Sequence, residues 1–185
     1  MAVLLRVYLP LVFGSLLWNL YARPAGLASS LLSIGAGLLL WTVIEYLMHR
    51  FAFHGFAPHY QHHADPVDPA HILAPLWFSL GAALAVWTVL GWALGSWALA
   101  ALIGAGTVSG YLAYEWVHLR IHSQEAGGRL LRAWRKHHYY HHFADDRRCF
   151  GVTTPLWDLV LGSAQSGSFS WLGSGSQKLD RKPSA

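Results

Sequence analysis

Four apolar runs constrain this chain more than any other feature of it. They extend from about Val3 to Tyr21, Ala25 to Met48, Pro75 to Gly95 and Trp97 to Val117, and crossing a hydrocarbon core takes about 20 residues. Arg6 and Pro10 interrupt the first run, while the second and fourth each hold one late acid, Glu45 and Glu115. Backbone groups in lipid must bond to one another, which favours helices. Charged residues make up 12% of the chain, half the roughly 25% of a soluble domain. Ten tryptophans suit a protein anchored at membrane interfaces, where indole rings collect. No small-residue cleavage site precedes Arg23, so the first run reads as a retained span and not a secretory signal. Gly95 and Ser96 leave only a tight turn between the last two runs. The fold expected is an all-α integral membrane protein of four transmembrane helices.

The basic residues set the orientation. Arg6 lies at the amino end, Arg50 follows the second span, and Arg120 to Arg148 and Lys178 to Lys182 follow the fourth. Of the 13 lysines and arginines only Arg23 falls in the opposite loops, so the positive-inside rule puts that face and both termini in the cytoplasm. The net charge of +4 is therefore topological, and no nucleic-acid partner is expected.

The 12 histidines are the compositional outlier. All but His71 and His137 form two clusters with one grammar, a spaced pair followed by an HxxHH triplet. The first is His49 and His54, then His59, His62 and His63; the second is His118 and His122, then His138, His141 and His142. Two spans separate the clusters, so both fall on the same side of the membrane. Residues four apart share a helix face, so His118 and His122 can share an ion or bracket two. His49 and His54, five apart, suit the frayed end of a helix. Neutral imidazole accepts iron, copper, nickel or zinc, and ten such donors divide between two ions. Crowded imidazoles repel when protonated, and a shared cation removes that conflict.

Glu45 and Glu115 precede a ligand histidine by four and three residues. A carboxylate at the membrane boundary needs a partner, and the expected role is to accept a hydrogen bond from the far nitrogen of a ligand ring. Asp65 and Asp68, flanked by prolines, read as turn formers and caps. His71 and His137 read as surface or capping residues, and Cys149, the sole cysteine, as structural; a single cysteine excludes an internal disulfide or a cysteine zinc ribbon. Leu130, Leu131 and Trp134 alternate with Arg129, Arg132, Arg135 and Lys136. Such a segment either lies on an anionic membrane surface or covers the site as a cytosolic helix. Residues 163–185 are rich in serine and glycine and read as a flexible tail.

In their order, HxxxxH, HxxHH, HxxxH and HxxHH, the histidines resemble the fatty acid hydroxylase superfamily, the membrane di-iron group that includes sterol desaturases and carotenoid hydroxylases. The resemblance covers Trp41 to Ser163. The stretches His62 to Pro75 and Phe150 to Gly162, with the pair Tyr114-Glu115, resemble the fatty acid 2-hydroxylase branch. The four residues between His54 and His59 are more like the spacing of carotenoid hydroxylases. The resemblance implies that residues 1–162 form one membrane-embedded hydroxylase domain under a histidine-rich helical cap. It also implies two iron ions, O2 and a lipid substrate, probed by a channel that sets which carbon is attacked. The ligands alone would accept zinc. The haem-binding donor domain fused to some eukaryotic members has no counterpart here, so a separate electron-transfer protein is expected. Two other classes compete. A metal transporter or sensor would place polar residues near mid-membrane, where these spans are clean. A haem electron carrier needs only two facing histidines and leaves the rest without a role, and a zinc hydrolase completes the alternatives.

Overall fold

The computed structural model describes residues 1–22, 26–123 and 127–165, and among these it is entirely helical, with no strand. The apolar runs become α1 (Ala2–Ala22), α2 (Leu27–Leu47), α5 (Leu76–Leu94) and α6 (Trp97–His122), each long and apolar enough to cross a membrane. Between them lie α3 (Ala57–Ala64) and α4 (Pro69–Ile72), and α7 (Arg129–Phe143) and α8 (Leu156–Val160) follow the last span.

The central helix is α6, which packs against α1, α2 and α5. More than half of its span is buried, 56%, against 17% or less for the other three. Its sequence explains the difference: α6 carries small residues through its middle, Ala105, Gly106 and Gly110, whereas the outer helices turn Leu31, Leu32, Trp77 and Trp92 outward, as a lipid-facing surface requires. Leu4 and Tyr8 of α1 pack on α6 beside Tyr111 and Leu112, and the Tyr8 hydroxyl donates to Ser79 Oγ of α5 at 2.8 Å. Gly95 closes the α5–α6 hairpin in the left-handed region, φ 59°, which glycine enters without strain. Ser96 then caps α6, accepting from Leu99 N.

The α2–α6 crossing is built on glycine. A Cβ on Gly37 would lie 2.0 Å from Ile103 O, and one on Gly106 would lie 2.2 Å from Ile34 O, so backbone meets backbone there. Close approach through small residues is how helices associate where lipid removes the hydrophobic drive.

One expectation is met, one alternative is decided and one expectation changes. The helix of the fourth apolar run continues past Val117 to His122, so His118 and His122 share a helix as their spacing predicts. The amphipathic segment folds as α7 and buries Leu131, Ala133, His137, His138 and His141, so it covers the histidines and turns Arg129, Arg132 and Lys136 outward. Ser163, expected to begin a flexible tail, is buried and accepts from Cys149 N through its carbonyl; the rest of that tail from residue 166 lies outside the described residues.

Candidate metal centre

Each histidine owes its place to a local feature of the backbone. At the end of α2 the helix widens into a π turn, Met48–Ala52, where Phe53 N reaches Met48 O, and then tightens into a 3-10 turn, Phe53–Gly55. Such widened turns occur mostly at functional sites. The wide turn brings residues five apart toward one side, and the His49 and His54 rings stack at 5.8 Å. Pro58 sits in the first turn of α3, where its missing N–H costs nothing, and α3 then presents His59, His62 and His63. The last turn of α6 presents His118 and His122, and α7 presents the second triplet.

All ten patterned histidines come together, and they divide into two groups of five. One holds His49, His54, His59, His63 and His141; the other holds His62, His118, His122, His138 and His142. Within each group the facing ring nitrogens lie within 4.8 Å of one another. The HxxHH triplets divide between the groups. His59 and His63, four apart on α3, stay together while His62 crosses to the other group; His138 and His142 stay together on α7 while His141 crosses. Each triplet thus gives two rings to the group of its own cluster and one to its neighbour's.

The donor set fits metal ions. Nε2 of His138 lies 3.1, 3.0 and 3.0 Å from Nε2 of His118, His122 and His142, and Nε2 of His63 lies 3.1 and 3.2 Å from those of His59 and His141. Nitrogens held about 2.1 Å from a common ion and at right angles stand about 3.0 Å apart. His49 Nε2 and both nitrogens of His62 are buried without a hydrogen-bond partner among the described residues, a costly state that a cation relieves. Burial first, and then neighbouring imidazoles, hold His59 at about 2, His62 at about 3 and His63 at about 4. Burial likewise holds His141 at about 4 and pushes His138 and His142 far down. The rings are therefore neutral at physiological pH, as ligands must be.

The two acids sit elsewhere than expected. Both are buried, but Glu45 accepts from Val152 N (2.6 Å), Thr153 N (2.8 Å) and Thr153 Oγ1, not from an imidazole. It lies one helical turn before His49 and faces the returning loop, whose peptide N–H groups need acceptors. Glu115 likewise accepts from Ala74 N, 3.1 Å, in the turn before α5. Asp68 caps α4 through Ala70 N, as its position predicts, and His71 pairs with it at 3.2 Å. Cys149 is fully buried at φ 59°.

His137 corrects the sequence reading: it is not a surface residue but is buried, 3.1 Å from Asp158. Burial alone would lower its pKa, but hydrogen bonds to Asp158 and Cys149 push it up to about 9. Burial would raise the Asp158 carboxyl, but hydrogen bonds from His137, Ser163 and Gly151 N hold it below its ordinary value. Asp158 was passed over in the sequence, although one acid inside the apolar Leu156–Val160 segment was a signal that it is buried with partners.

A narrow cleft lined by Phe53, Phe56, Leu73 and Phe78 reaches Tyr114, His59 and His118, touching both histidine groups. A larger cleft between the end of α6 and the start of α7, at Trp116, Arg120, Leu130 and Trp134, touches no histidine.

Known proteins resemble this chain in sequence and fold. The fatty acid hydroxylase family profile matches residues 34–163. Dihydroceramide fatty acyl 2-hydroxylase FAH1 of Arabidopsis thaliana is 29% identical over 138 residues, covering 69% of this chain and 58% of the relative. Human fatty acid 2-hydroxylase is 32% identical over 136 residues, 66% of this chain and 36% of the relative. The chain therefore spans less than two thirds of these relatives' length. A solved structure of full-length scs7p, in which only the hydroxylase domain is visible, superposes with a TM-score of 0.80 at 26% identity. That match covers 88% of this chain and 66% of the other.

Proposed function

This chain belongs to the fatty acid hydroxylase family, and from that membership we propose that it is an oxygen-dependent lipid hydroxylase that inserts one oxygen atom into a fatty acyl chain. The observation that carries the reading is the pair of five-histidine groups set side by side at the ends of α2 and α6, the second buried apart from half-buried His142, the first anchored by buried His49 and His141. The ten histidines hold two iron ions, and zinc can take the same positions. In such a cage two irons supply the reductive activation of O2 needed to attack an unactivated C–H bond. The balance is R–H + O2 + 2 e⁻ + 2 H⁺ → R–OH + H2O, so a reductant is required, and a separate electron-transfer protein supplies it.

The chain's own residues bind, orient and exclude water. Phe53, Phe56 and Phe78 line a narrow apolar cleft that ends at one histidine of each group, and an acyl chain would approach along it as these side chains move apart. Burial of His49, His62, His118, His138 and His141 keeps water from the reacting carbon. The histidines and both termini face the cytoplasm, the side that carries the basic residues. The names of the relatives, which include fatty acid and dihydroceramide fatty acyl 2-hydroxylases, favour the carbon next to the acyl carbonyl.

The test is to express the protein in a bacterial host and compare total lipids by mass spectrometry with those of a His118→Ala, His141→Ala double variant. Acyl chains carrying one additional oxygen only with the intact protein are expected, and fragmentation locates the carbon. A new double bond in their place would make it a desaturase. The short His54–His59 spacing favours a second substrate, a carotenoid; hydroxylated carotenoid in a host supplied with it, with acyl chains unchanged, would decide for that reading. Purified protein lacking stoichiometric metal would overturn both.

A further inference from the structure

The two histidine groups differ in what holds their rings. In the group of His49 and His141, the Nδ1 atoms donate to backbone carbonyls, His49 to Phe150 O at 2.6 Å and His141 to Arg148 O at 2.8 Å. In the other group, Nδ1 of His122, His138 and His142 is buried with no partner among the described residues.

The carbonyls that steady the first group belong to one loop, and that loop is gripped from both ends. Four consecutive peptide N–H groups, Phe150 to Thr153, end on two buried carboxylates. Asp158 takes Phe150 N at 2.9 Å and Gly151 N at 2.8 Å, and Glu45 takes Val152 N and Thr153 N. With its N–H groups turned to the acids, the loop turns carbonyls to the histidines, and Phe150 does both at once. Asp158 also accepts from Ser163 Oγ, 2.7 Å, and pairs with His137 of α7. No side chain fits at Gly151, where a Cβ would lie 2.0 Å from Thr154 O. An Nδ1–H bond to a fixed carbonyl sets the tautomer, leaving the Nε2 lone pair for a metal; Nε2 of His49 is the buried, unpartnered nitrogen that this predicts.

We propose that Asp158, acting with Glu45 through the Phe150–Thr153 loop, is a positioning residue for one metal only, the ion held by His49, His54, His59, His63 and His141. The proposal rests on the two-metal reading above. The two positions are then inequivalent: the Phe150 and Arg148 carbonyls hold two rings of the first group, whereas in the second only His118 has a backbone bond, to Ile72, and His122, His138 and His142 have none at Nδ1 among the described residues.

The experiment is a chelator titration of ferrous-iron-loaded protein, with bound iron counted by elemental mass spectrometry and iron environments read by Mössbauer spectroscopy. Wild type holding fewer than two irons per chain would overturn the two-metal reading itself. With two bound, Asp158→Asn is expected to release one iron at about 10–100-fold lower chelator and to keep the other as wild type does. The retained iron should carry the spectrum of the iron retained by His49→Ala. Ser163→Ala, which removes one bond to Asp158, is expected to shift the same iron by less, and it decides the question if Asp158→Asn does not fold. Wild-type retention of both irons in these variants, or equal weakening of both in folded protein, would overturn the proposal.

Discussion

Replacing Gly37 by alanine tests how the membrane helices place the metal centre. Gly37 and Gly106 meet at the α2–α6 crossing, where the added Cβ would stand 2.0 Å from Ile103 O, 2.8 Å from Thr107 N and 2.9 Å from Gly106 Cα. All three are backbone atoms, so no rotamer relieves the overlap, and the helices must part by about 1.4 Å (3.4 − 2.0) to restore ordinary contact. Overpacking of this kind costs roughly 1–3 kcal/mol, which in a chain of this size lowers the unfolding temperature by roughly 3–10 °C. The crossing lies twelve residues before His49 and twelve before His118 (49 − 37 and 118 − 106), about 18 Å along each helix. These helix ends carry two rings of one group each, His49 and His54 after α2 and His118 and His122 on α6, so parting the helices moves those pairs relative to each other. A displacement of about 1 Å in a reacting geometry costs on the order of 100-fold in rate. The assay is thermal unfolding of the purified, iron-loaded protein in detergent, with product formation measured alongside. Gly35→Ala is the control on the same helix, because its Cβ meets nothing within 4 Å and alanine is the better helix former. If Gly37→Ala matched Gly35→Ala in both unfolding temperature and rate, the argument that this contact sets the centre would be wrong.

Three further outcomes follow from the geometry. Because the triplets divide between groups, His141→Ala should lose the same iron as His49→Ala, and His62→Ala the same iron as His118→Ala; Mössbauer spectra of the four variants check this. Metal-free protein should lose stability on acidification. The folded pKa values of His59, His62, His63 and His141 are depressed to between about 2 and about 4. The unfolded chain therefore takes up protons below about 6.5 that the folded chain refuses, so the contribution of these four histidines is whole above that pH and falls below it. Thermal unfolding from pH 7.5 to pH 5 measures the slope, and metal loading should move the fall to lower pH. Tyr8→Phe removes the bond to Ser79 that ties α1 to α5 and should cost about 1 kcal/mol, measured by thermal unfolding, with both irons retained.

The sequence by itself determined the four spans, because crossing lipid demands long apolar helices and nothing else in the chain is long enough. It determined that the histidine clusters meet, since two spans return the chain to the same face, and it identified all ten rings that the structure gathers. Asp68 as a cap and the Gly95–Ser96 turn were legible too, because their bonds are local. What the tertiary structure alone decided is long-range. The crossing of His62 and His141 into each other's group depends on how α3 and α7 face one another, which no spacing reports. Glu45 sits four residues before His49, and that proximity suggested a direct bond; its partners, Val152 and Thr153, lie more than a hundred residues away. His137 looked like an incidental neighbour of the second triplet, yet the side of α7 it occupies faces Asp158. Local rules fix elements and the rings they carry. Which unpaired donor finds which buried acceptor is settled only when distant segments pack, and the scaffold of the first histidine group is made of such pairings.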